Sequence, residues 1–168
     1  MSISKKWIQL GITTVIILFS AASVTKEVAA HHGFTGEYDA SRPLYVQGTV
    51  RQVRWQSPHS TLIVEIPKNL EVPPEFRQLS ASELGTDTQK QLTVSPELLG
   101  TQQRVEFPPV TSMVAPLQDR LQVGNSVQLV VLRNCEPPNQ LRILLARLTD
   151  GTTVARAKTA NQVNGCRS

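Results

Sequence analysis

LYVQGTVRQVRW, running from Leu44 to Trp55, is rich in β-forming residues, but its apolar phase changes midway. Val46 and Val50 fall on one face of a strand, whereas Val53 and Trp55 fall on the other. A strand that switches faces needs a bulge or a bend, and Gly48 and Gln52 are the candidate places. Small closed barrels use a long, bent first strand of this kind to turn a corner.

Working outward, Ser57-Pro58 stops the strand, because proline lacks the donor that a ladder requires. Thr61 to Ile66 then starts a second strand with Leu62, Val64 and Ile66 on one face, which leaves His59 in or beside a hairpin loop. Residues 68–103 change character: Pro73-Pro74, several Gln, Ser and Thr, and intermittent apolar residues read as a long inserted loop with short helical turns. One such turn is Ser95-Pro96-Glu97, where serine would cap and proline would open it. Gln103 to Phe107 is a short third strand. Met113, Val114, Leu117 and Leu121 have helical spacing despite Pro116, so a short helix is expected over 111–121. Strands follow at Ser126 to Arg133, Leu141 to Thr149 and Thr152 to Arg156, separated by turns at Cys135-Glu136-Pro137-Pro138-Asn139 and Asp150-Gly151. The order is that of an all-β protein, a small OB-like Greek-key barrel with a possible helix between its third and fourth strands. A generic β-sandwich has the same strand count.

Upstream, Lys5 and Lys6 precede an apolar run from Trp7 to Val24, and Val28 and Ala30 stand where a signal peptidase expects small residues. Residues 1–30 therefore read as a signal peptide and 31–168 as one domain with a C-terminal tail over 157–168. An uncleaved anchor is the competing reading, since the run approaches the roughly 20 residues that span a bilayer. Cleavage after Ala30 removes three lysines and one glutamate and lowers the formal charge from +4 to about +2. Eleven arginines remain, scattered along the chain, so neither nucleic acid nor, after cleavage, a membrane is an expected partner. The expected localisation is periplasmic or secreted. In such an oxidising compartment Cys135 and Cys166 read as one disulfide tying the tail to a hairpin, with a two-thiolate metal site as the alternative.

Export would also leave His31 as the first residue of HHGFTGEYDA, where a free amine and an imidazole form a chelate. Copper(II) favours nitrogen donors in a tetragonal arrangement, so the amine and imidazole of His31 with a second imidazole from His32 or His59 would suit it. Glu37 and Asp39 could add a carboxylate or orient an imidazole. Phe34 and Tyr38 would anchor this segment so that His31 stays near His59. A flexible polar terminus and a histidine capping a hairpin would use the same residues for nothing more. Trp55 reads as a packing residue over a barrel mouth or as a stacking surface for a ligand. No nucleophile motif, glycine-rich phosphate loop or HExxH is present, and catalysis is not expected.

HHGFTGEYDASRPLYVQGTVRQVRWQSPH resembles the signature of DUF6152, small exported bacterial proteins of unknown function. The shared features are the paired histidines His31 and His32, a Phe34, Glu37, Tyr38, Asp39 segment, a Gly48-Thr49-Val50 strand and a turn built on Trp55, Pro58 and His59. The likeness covers residues 31–66 well and 110–156 loosely. It departs at Gly33, where serine is usual, at Ser57, where asparagine is usual, in the 68–103 insertion and in the cysteine pair. The resemblance implies an exported protein and a motif, with no activity attached. The function expected from the residues is an exported, non-catalytic ligand-binding protein that takes a divalent transition metal such as copper through its histidines. The alternative is an envelope module that binds a protein or an anionic glycan through its loops and Arg51, Arg54, Arg142 and Arg147.

Overall fold

The computed structural model describes residues 37–56, 58–156 and 165–166. The residues expected to form the signal peptide, together with His31, His32 and Phe34, lie outside them.

The fold is mostly β. β1 (Leu44–Arg54), β2 (Thr61–Glu65), β3 (Gln102–Glu106), β4 (Ser126–Arg133), β5 (Leu141–Leu148) and β6 (Thr153–Ala155) form a sheet in the order β3-β2-β1-β4-β5-β6. All neighbours in that order are antiparallel, and β3 also pairs in parallel with β5 through Val105↔Leu141 and Glu106↔Arg142.

β1 serves two partners. Leu44 to Thr49 pair with β4 and Thr49 to Arg54 pair with β2. At the handover the strands approach so closely that a Cβ on Gly48 would lie 2.1 Å from the Glu65 carbonyl oxygen, so only glycine fits. The bulge follows between Val50 and Gln52, next to the expected Gln52. Arg51 is its extra residue, and Arg51 and Gln52 are both exposed. Counting past that residue resolves the phase change: Leu44, Val46 and Val50 join one buried cluster, and Val53 and Trp55 pack against the same cluster. β5 uses the same device. Leu144 is the extra residue there, so Leu144 and Leu145 face one side while Ile143 and Ala146 face the other.

Two cores result. The larger holds the inner faces of the strands with Phe107, Met113, Leu117 and Leu121. The second lies on the outer face of β1, β4 and β5, where Tyr45, Val130, Leu132, Leu144 and Leu145 meet Phe76 and Leu92. Phe76 comes from α1 (Pro74–Leu84), which opens on a proline in its first turn and is followed by α2 (Thr86–Gln91). Its ring lies 4.8 Å from that of Tyr45. Arg77 donates to the carbonyls of Gln89 (3.1 Å) and Leu92 (2.9 Å), fixing the end of α2 to α1.

The 68–103 segment is therefore not a long loop. It is a helical layer, because Phe76 and Leu92 find an apolar face on β1, β4 and β5 that alternation along any single strand does not display. At Ser95-Pro96-Glu97 a 3-10 turn forms over Pro96–Leu98, but Ser95 Oγ bonds the Glu97 side chain instead of capping the backbone. Between β3 and β4 the helix is shorter than its apolar spacing predicts: α3 (Thr111–Val114) runs into a 3-10 turn over Ala115–Leu117, as Pro116 removes the donor needed to continue. Cys135 and Cys166 form the expected disulfide, with Cα atoms 5.4 Å apart.

Candidate functional site

The β3–β5 pairing places Glu106, the last residue of β3, opposite Arg142, the second of β5. Arg142 is nearly buried and its Nη2 donates to Glu106 Oε2 at 3.1 Å. A buried guanidinium–carboxylate pair of this kind holds both groups in one geometry. The other carboxylate oxygen, Oε1, lies 3.2 Å from Nδ1 of His59, in the β1–β2 connection. Nδ1 is buried but its ring N–H direction does not run to Oε1, so this is a close polar contact and not an aligned hydrogen bond. A third of the His59 side chain remains exposed, and with Nδ1 buried that exposure lies on the rest of the ring.

The other face of Arg142 is covered by Tyr38, whose ring centroid is 4.6 Å from the guanidinium carbon. Burial, opposed by Arg142 and by a hydrogen bond with Asn134, raises the Tyr38 phenol above its ordinary range. Tyr38 is held from both sides in sequence. The Cys135 amide donates to the Glu37 carbonyl at 2.8 Å, the Asp39 amide donates to the Arg133 carbonyl at 2.8 Å, and Tyr38 bridges Asn134. Residues 37–39 thus extend the end of β4 as a short antiparallel strip, and its tyrosine reaches the group that pairs with Glu106.

Of the expected site residues, the structure brings His59 into one side-chain chain with Tyr38 through Glu106 and Arg142. Asp39 is turned to a different task. Its carboxylate accepts from Ser41 N (3.2 Å), Ser41 Oγ (2.5 Å) and Arg42 Nε (2.7 Å). Burial pushes its pKa up, but these donors outweigh burial and hold it below the usual carboxylate value. The acid beside His59 is Glu106, and no reading along the chain pointed to it, because only the β3–β5 pairing joins residues so far apart in sequence. Among the described residues, no three His, Cys, Asp or Glu side chains gather as a metal cluster.

The arginines do not make one surface. Arg51 pairs with Glu65 across β1 and β2, Arg54 is exposed at the end of β1, Arg142 is buried, and Arg147 lies on β5 within electrostatic range of Tyr45. Trp55 packs against Phe107, ring centroids 5.9 Å apart, and borders an open cleft.

No curated protein matches the chain. Residues 20–72, which include β1, β2 and the strip carrying Tyr38, match the family of unknown function DUF6152, the family whose signature the opening stretch resembles.

Proposed function

We propose that this is an exported, non-catalytic binding protein, an OB-like barrel whose rim holds a divalent transition metal, copper foremost, through His31 with His32 or His59. The barrel reading is supported by the pairings themselves: β3 meets β5 at the same time as β2, linking both ends of the run β3-β2-β1-β4-β5, and α3 falls between β3 and β4. Export to the periplasm or beyond is supported by the signal-like pattern of residues 1–30 and by the paired cysteines.

The contact between His59 and Glu106 carries the metal reading. A carboxylate beside Nδ1 favours the tautomer with its proton on that nitrogen, which leaves Nε2 as a lone-pair donor on the exposed part of the ring. Residues 37–39 end beside the same Arg142–Glu106 pair, through the ring of Tyr38. The amine and imidazole of His31 would complete a nitrogen-rich set of the kind copper(II) takes.

Calorimetric titration of protein beginning at His31 with copper(II) tests the reading. One ion should bind with a Kd of about 1 μM or tighter. His31→Ala should abolish that site, and His59→Ala and Glu106→Gln should each weaken it by about 10- to 100-fold. Equal affinity in wild type and both histidine variants would overturn it.

A further inference from the structure

We infer that the cleft beside Trp55, which borders His59 through Pro58 and Ser60 but is not lined by it, is a second binding site, and that its ligand is an uncharged saccharide. The cleft, of about 430 Å³, lies between the β1–β2 connection and the segment that leads from β3 into α3. That volume is within the roughly 300–1,000 Å³ of small-molecule sites and has room for a disaccharide.

Its chemistry has two parts. One wall is Trp55, half-buried and backed by Phe107, with Pro58 and Pro108 beside it, so the indole is held in place before any ligand arrives. The other contributes Gln56, Ser60, Thr111 and Gln118, and among the described residues none that lines the cleft carries a charge. A flat aromatic face fits the C–H face of a pyranose ring. Amides and hydroxyls supply donors and acceptors together, which is what sugar hydroxyls require, since each both donates and accepts.

The same features argue against other occupants. A charged glycan would enter without a counter-charge and lose hydration with no compensation. A proline-rich peptide would satisfy the indole, but its prolines have no N–H, and the amide and hydroxyl oxygens of the cleft would go unpaired.

The test uses chelator-treated protein, so that it stands independently of metal binding at His59. Neutral disaccharides of glucose, galactose, mannose and N-acetylglucosamine are titrated and followed by calorimetry and saturation-transfer NMR. At least one should bind with a Kd of about 1 mM or tighter. That affinity should be insensitive to salt, because neither side is charged. Trp55→Ala should weaken it by about tenfold or more, the loss of one stacking contact. Gln118 is exposed, so Gln118→Ala keeps the fold and should still weaken binding by about fivefold, the loss of one hydrogen bond. Failure of every disaccharide to bind, unchanged affinity in both variants, or preference for a uronic-acid disaccharide or a proline-rich peptide would each overturn the assignment.

Discussion

Gly48 illustrates how a single residue constrains the β-structure. Its missing Cβ lets β1 pass within contact of the Glu65 carbonyl while exchanging β4 for β2 as partner. Gly48→Ala should cost about 1–3 kcal/mol or more in urea unfolding, the range for overpacking, and an unchanged midpoint would refute the account. Two polar residues, Asp39 and Tyr45, contribute to the response to pH with opposite signs. Asp39 has a depressed pKa in the fold, so its stabilisation is present above the unfolded carboxylate value and fades as pH falls through the folded one. Acid unfolding should therefore steepen below about pH 4, and Asp39→Asn should flatten that limb. Tyr45 has the opposite sign. Burial pushes its phenol up to about 12, while its hydroxyl donates to Gln47 (2.6 Å) and accepts from Gln128 (2.8 Å). Its contribution is complete below about pH 10 and is lost as pH rises towards 12, so Tyr45→Phe should reduce the alkaline slope of stability.

At the level of elements, the disulfide and the strip at residues 37–39 belong to one assembly. Cys135 holds the Glu37 carbonyl through its amide and Cys166 through its sulfur, and Gly165 lies against Ser41 and Asp39. The bridge closes 31 residues, for which chain entropy gives about 3–4 kcal/mol of stabilisation. Reduction should lower the melting temperature and speed hydrogen exchange at the Cys135 and Asp39 amides more than in β2; uniform exchange would show that the strip is held independently. This pairing was legible in the sequence from cysteine count and expected compartment. So were the six strands, and so was the bulge in β1, because Val46, Val50, Val53 and Trp55 cannot share a face without an extra residue. The helical layer was not legible. Its buried residues Phe76 and Leu92 are too far apart to mark a period, and their partners on β1, β4 and β5 become a surface only once those strands pair. Glu106 was hidden for the same reason: it sits in a short strand and acquires meaning only opposite Arg142 and His59.

For the molecule as a whole, the strand pairings gather the end of β3, the start of β5, the β1–β2 connection and the segment entering β1 at one end of the sheet. The buried Arg142–Glu106 pair is the joint of that end, touching Tyr38 on one side and His59 on the other. Binding should weaken on acidification, since protons compete with copper for the amine and imidazole nitrogens. The most direct measurement is the electron paramagnetic resonance spectrum of copper(II) bound to protein beginning at His31, with nitrogen couplings resolved. The account predicts couplings from the amine and from imidazole nitrogens, with one imidazole contribution lost in His59→Ala. Superimposable spectra for the wild type and His59→Ala, at full copper occupancy, would contradict it.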